Sequence, residues 1–168
     1  MNEIRENFVD WLRDAHAAEE QALTMLKGQA GRIENYPALR QRIEQHIEET
    51  KGQAEAISSL LERYDTSASG LKDFTSKVTA SFQDMSGVFA SDEVVKGALF
   101  SYAFEHMEIA SYRILVTTAE QLGDTHAAEV LKGILKQEEA MAQWLFDHLD
   151  EITRSYLARS EADLDAKR

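Results

Sequence analysis

The sequence predicts an all-α fold, a bundle of four long helices, and three observations predict it. Apolar residues recur at intervals of three and four rather than two, the period of a helix with one buried stripe. A single proline and eight glycines among 168 residues leave few places where a helix must break. An apolar content of 43% in a chain of this length is enough for one domain with a real core.

The elements follow in order. The first helix is expected from about Glu3 to Gly28, with Gly28, Gly31 and Asn35 marking a turn. Pro37 then opens a second helix, since proline is tolerated at a first helical position, and that helix ends near Tyr64. Beyond Asp65, the residues Leu71, Phe74, Val78, Phe82 and Met85 share one face of a shorter amphipathic piece, expected as a crossover helix. Ser91 is the expected N-cap of a third long helix ending at Gly123, and Asp124 caps a fourth that reaches about Tyr156. The bundle is assigned to residues 1–159, and 160–168 are expected to form a frayed polar tail. Two short joints and one long middle connection match the ferritin-like variant of the four-helix bundle, with helices two and three parallel.

Composition excludes several function classes. No stretch approaches the roughly 20 apolar residues of a membrane span, and the first residues lack the apolar segment of a signal peptide, so a cytoplasmic protein is expected. A net charge of −12 opposes the phosphate backbone, which argues against nucleic acid as a partner. With no cysteine there are no disulfides, thiolate sites or cysteine nucleophiles. Any metal must be held by carboxylates, histidines, amides or phenols, which favours harder cations.

The chemistry is written on the inner stripes. In the first helix Phe8, Leu12 and Ala15 lead to Glu19 and then to Ala22 and Leu26. In the second, Leu39 and Ile43 lead to His46, Glu49 and Gln53 before Ile57 and Leu60 resume. The third carries Glu105 and Glu108 one turn apart, between Ala98 and Tyr112. The fourth places Glu138 between Ile134 and Met141. Each long helix thus interrupts its apolar stripe with a carboxylate. An ionised carboxylate buried alone costs many kcal/mol, so such groups must be paired, protonated or bound to a cation. No lysine or arginine falls on these stripes as read, and a pair of divalent ions is the expected compensation, with iron or manganese suiting an oxygen-rich set and calcium or magnesium also tolerated.

Each residue also has an ordinary reading. A glutamate at a stripe edge can reach solvent, Gln53 can simply hydrogen-bond a carboxylate, and His46 can be a satisfied core histidine. His106 falls off the stripe, about 100° round from Glu105. Tyr102 and Tyr112 read first as core residues and then as donors to the site. Trp11, Trp144 and the phenylalanines are expected in packing, and Glu48 and Glu139 on a solvated face.

Three blocks resemble the YciE/YciF family of bacterial ferritin-like stress proteins, and the resemblance covers most of the chain: Asp14 to Glu19, His46 to Gln53, and Glu105 to Tyr112. It implies a homodimer and a dinuclear metal site, with Glu19, Glu49, Glu105, Glu108 and Glu138 as candidate ligands, Gln53 beside them, and His46 and Tyr112 supporting. By analogy with related bundles, Glu19 and Glu138 are the implied terminal ligands, Glu49 and Glu105 the bridges, and Glu108 an adaptable extra carboxylate. Two departures stand out. The Glu-x-x-His of di-iron bundles is absent, because Gly52 follows Glu49 and Met141 follows Glu138 at the third position. Where the family tends to carry an aspartate four residues after the fourth-helix glutamate, this chain has Ala142.

The leading expectation is a carboxylate-bridged iron or manganese protein that reacts with a small oxidant, dioxygen or peroxide, either oxidising ferrous iron or dismutating peroxide. Phe104, Ile109 and Leu115 would restrict water around it. The rival is a metal-free dimeric helical scaffold that binds a protein partner.

Overall fold

The computed structural model describes residues 3–64 and 92–167. The described residues form four helices and no strand: α1 (Glu3–Arg32), α2 (Pro37–Arg63), α3 (Glu93–Gln121) and α4 (Thr125–Glu161). The crossover helix expected around Leu71–Met85, and the Ser91 cap, lie outside the described residues. Asp92 is the N-cap of α3, and its side chain makes no capping bond.

Antiparallel neighbours are fixed by contacts at both ends of the helices. The Arg5 guanidinium donates to the Tyr64 carbonyl at 3.3 Å, which sets α1 antiparallel to α2. The Arg32–Glu93 ion pair and the bond from the Tyr112 hydroxyl to Glu19 set α1 antiparallel to α3. Arg63 meets Asp124 while Gln53 reaches Glu138, so α4 is antiparallel to α2. Helices α2 and α3 are therefore parallel and start at the same end, as the two short joints and the long middle connection require. Gly97 lets α1 and α3 approach, because a Cβ there would lie 3.0 Å from the Gln29 amide.

The helix ends are specified locally. α3 closes with Gly123 at φ 72°, a left-handed conformation that glycine adopts without the steric cost of a Cβ. The Gly123 and Asp124 amides donate back to the Glu120 and Ala119 carbonyls at 3.1 and 3.0 Å. Asp124 then caps α4 through its carboxylate, which accepts from the Ala127 amide at 3.0 Å. α4 runs five residues past the expected Tyr156 and ends the same way, with Asp163 at φ 56°. The tail after it docks rather than frays. The Tyr36 hydroxyl donates to the Ala166 carbonyl at 2.5 Å, and the Val94 amide donates to Lys167 O at 3.1 Å. That second bond satisfies a first-turn amide of α3 that the Asp92 side chain leaves open.

The apolar core comes in two halves. One contains Phe8, Leu12, Ile57, Leu115 and Leu131. The other contains Leu26, Ile43, Phe104, Met141 and Leu145. Between them lies a buried polar layer drawn from all four helices at mid-length. Two expectations about packing change: Trp11 and Phe146 are exposed, so they are not core residues.

Candidate metal centre

The polar layer sits where each helix interrupts its apolar stripe. Glu19, His46, Gln53, Glu105, Glu108 and Glu138 are all buried, Glu138 completely, with 0% of its surface exposed. Among the described residues, two sets of three have ligand-type atoms within 4.8 Å of one another: Glu19, Glu108 and Glu138, and His46, Glu105 and Glu138. Glu138 belongs to both. Glu138 is thus the carboxylate the two sets share, and Glu105 belongs to one of them. Glu49 lies on the same face of α2 but is half-buried at the rim and belongs to neither set.

His46 is the centre's internal cation. Its Nδ1 lies 2.7 Å from Glu49 Oε2, and its Nε2 lies 3.3 Å from Glu105 Oε1 and 3.7 Å from Glu138 Oε2. Burial works against the charged ring, but hydrogen bonds to Glu105 and Glu49 outweigh it and raise the pKa to about 10. Arg42 adds a second cation, 3.3 Å from Glu49 Oε2 and itself buried. This corrects the reading that no arginine reaches the site. The signal was in the sequence: Arg42, His46, Glu49 and Gln53 are spaced four, three and four, a single helical row. Although burial opposes it, the His46 hydrogen bond and Arg42 hold the Glu49 carboxyl below its ordinary range.

On the other side burial outweighs what His46 offers Glu19 and Glu138. Burial pushes Glu19 from an ordinary 4.5 to about 8, against the lowering effect of the hydrogen bond it accepts from the Tyr112 hydroxyl. Burial first, and then the neighbouring carboxylates, drive Glu108 and Glu138 well above the usual range. Tyr112 rises too, through burial and the nearby Glu19. Without a metal this half of the centre is neutralised by protons shared among acids. Gln53 donates to Glu138 and, at 3.0 Å, to Gln137, so its role as a carboxylate's hydrogen-bond partner is present.

The layer fits a cation. Glu19 Oε2, Glu105 Oε2, Glu108 Oε1, Glu138 Oε2 and Gln53 Oε1 are buried and, with the acids ionised, have no hydrogen-bond donor; protons shared by Glu138 with Glu105 and Glu108 are what replaces a cation there. Buried acceptors left unpaired are rare because each costs its desolvation, about 1–3 kcal/mol. Here five of them converge from four helices, and they are ligands for hard or borderline cations. His106 is exposed on α3 and stacks edge-on to Tyr102, with ring centroids 4.5 Å apart, so it lies away from the layer. Ala142 is buried one turn beyond Glu138 and supplies no polar group. Phe104 and Leu115 are buried and Ile109 half-buried, on either side of the two α3 glutamates.

Comparison with known proteins places this arrangement among relatives. Residues 3–158 match the family model described as a domain of unknown function, DUF892. Protein YciF of Escherichia coli K12 is 38% identical over 148 residues, covering 83% of this chain and 86% of that protein. The crystal structure of the E. coli stress protein YciF superposes with a TM-score of 0.78 at 32% identity, over 89% of this chain and 96% of that one. A Xanthomonas campestris protein superposes with a TM-score of 0.80 at 41% identity, over 94% and 99% of the two chains. A dodecameric thioferritin, the bacterioferritin-related protein from Bacteroides fragilis, shares the fold at 18% identity and a TM-score of 0.68, over 89% and 88%. The fold is thus a ferritin-like four-helix bundle.

Proposed function

Because the chain belongs to the DUF892 family that includes YciF, we propose that its midplane layer is a dinuclear iron or manganese centre serving oxidative chemistry with dioxygen or peroxide. The observation that carries this reading is the set of five unpartnered, buried ligand oxygens around a carboxylate common to two ligand sets. One ion would be held by Glu19, Glu108 and Glu138, and the other by Glu105, Glu138 and His46 once His46 has lost a ring proton. Bound iron or manganese would supply the electron-transfer steps that no side chain of this chain provides.

The protein's own residues do the rest. The hydrogen bond from the Tyr112 hydroxyl fixes one oxygen of Glu19 and turns the other inward. Gln53 orients Glu138 in the same way, leaving one oxygen free. Phe104 and Leu115 exclude water from the α3 side, which strengthens every electrostatic interaction inside. Glu49 touches both His46 and the surface, so it can pass protons between them.

The test is metal content. Elemental analysis of tag-free protein, reconstituted anaerobically with ferrous iron, should give about two ions per chain, the stoichiometry of a dinuclear bundle site. No bound metal under those conditions would rule the reading out. The metal-free scaffold is the second reading, favoured by the His46–Glu49–Arg42 network, which neutralises one side of the layer without any ion. Chelation separates the two: it lowers the melting temperature only if metal belongs to the folded state.

A further inference from the structure

The polar contacts of the midplane layer reach solvent on one side of the bundle, between α2 and α4. On α2 the exposed Gln45 amide donates to Glu49 Oε1 at 2.9 Å, and Glu49 Oε2 lies 2.7 Å from His46 Nδ1 inside the layer. On α4 the exposed Gln137 accepts from the Gln53 amide nitrogen at 3.0 Å, and the same nitrogen donates to buried Glu138. The hydrogen bond that joins α1 to α3 across the layer is different, because Tyr112 and Glu19 are both buried. Of the four pairs of neighbouring helices, α2 and α4 make the sparsest contact. Toward the α1–α2 joint their seam opens into a cavity of about 140 Å³ between Leu39 of α2 and Trp144 and His148 of α4. Arg42 follows Leu39 by one helical turn, so along α2 it stands between that cavity and Glu49.

Glu49 is the acid at the mouth of this seam, with 19% of its side chain exposed, and it is pinned there. Arg42, Gln45 and His46 occupy both of its oxygens, Arg42 at 3.3 Å from Oε2. A guanidinium keeps its charge at any accessible pH, and it repels a divalent ion that approaches the same carboxylate. A cation can therefore pass Glu49 to His46 and Glu138 only after Arg42 gives Glu49 up.

We propose, resting on the reading of the layer as a metal centre, that the α2–α4 seam is its cation port, with Glu49 as the entry ligand for a divalent ion and Arg42 as the latch that keeps the port shut. Charge stays paired during the exchange. Glu49 trades the guanidinium for the incoming ion, and the cavity beside Leu39 receives the withdrawn Arg42 side chain. Arg42 contributes no ligand atom, since all its nitrogens are donors. It sets how fast ions pass and not how many are held.

Release of manganese(II) tests the port. The whole chain, loaded with manganese(II), is mixed with excess EDTA, and the ion still bound is followed by electron paramagnetic resonance. Arg42→Met should hold as many ions at saturation as the wild type and release them roughly ten- to hundredfold faster, the rate equivalent of one charge-assisted hydrogen bond lost from the shut state. Gln45→Ala, at an exposed position, should also be faster, by less. Arg40→Met makes the same charge change on the same helix but at the surface pair with Glu44, and it should release like the wild type. None of these rates should respond to urea below the unfolding transition, because a swing of side chains exposes little surface. Wild-type release from Arg42→Met, or from Gln45→Ala if Arg42→Met cannot be loaded, would overturn the port and leave the metal centre standing. So would equal acceleration by Arg40→Met, which reduces the effect to net charge, or release that quickens with urea, which means that ions escape as the bundle opens. A wild-type chain that binds neither manganese(II) nor ferrous iron would remove the centre itself, and the port with it.

Discussion

At the scale of single residues, Glu138 is the most exposed to test because it belongs to both ligand sets. Glu138→Gln keeps the side chain's shape and replaces a carboxyl whose pKa is raised far above its ordinary value by a group that is always neutral. Metal content should fall from about two ions per chain to one or none, by the ligand count a dinuclear site requires, whereas the metal-free melting temperature should hold or rise. Retention of both ions would remove Glu138 from the centre. Tyr112→Phe makes a different prediction. It leaves a second Glu19 oxygen buried without a donor, which should cost about 1–3 kcal/mol in metal-free stability by chemical denaturation. The buried carboxylates of the layer were legible in the sequence because a carboxylate inside an apolar stripe is conspicuous. The place of Glu49 was not: it occupies the same helical row as His46 and Gln53, and only the packing of α4 decides that Glu138 fills the centre and Glu49 the rim.

At the scale of elements, the joint between α3 and α4 is specified by two adjacent residues. Gly123→Ala should destabilise by about 1 kcal/mol, the cost of a Cβ in left-handed backbone. Asp124→Ala should cost about 1–2 kcal/mol because the α4 cap goes, and with it the Tyr64 and Arg63 contacts to α2. Thermal melts of the two variants check both, and a neutral Asp124→Ala would mean that the cap is dispensable. The sequence located this joint to within a residue, since glycine followed by aspartate has one reading between two amphipathic helices. It misjudged the end of α4. The chain there is polar, and what orders it is a set of backbone carbonyls meeting Tyr36 and the α3 N-terminus, which no side-chain pattern announces. Removing residues 163–168 should therefore lower the melting temperature, by about 2–4 °C for each kcal/mol lost in a domain of this size.

For the whole molecule, the raised pKa values make metal-free stability depend on pH with a definite sign. Between its ordinary 4.5 and about 8, Glu19 holds in the folded state a proton that the unfolded chain releases. Folding then takes up a proton, so stability is full below that window and is lost as pH rises through it. His46 acts in the same direction between its ordinary 6.5 and about 10. Calorimetry of chelated protein should show the melting temperature falling from pH 5 to pH 9, and metal should flatten that slope by replacing the protons. A melting temperature that climbs over this range would mean that the layer is ionised without metal. The bundle topology behind all of this was readable from helix number and connection lengths alone. The division of the core into two apolar halves was readable too, because every helix breaks its stripe at mid-length.

If the midplane layer holds metal as proposed, the bundle would act as an ion exchanger. Each cation that entered would drive protons out of Glu19, Glu108, Glu138 and His46, and the half-buried Glu49 carboxylate lies beside His46 at the solvent edge. Loading would then be a swap set by the surrounding pH. Acidification would unload the bundle without unfolding it, since the returning protons restore the neutral layer that the metal-free fold already accommodates.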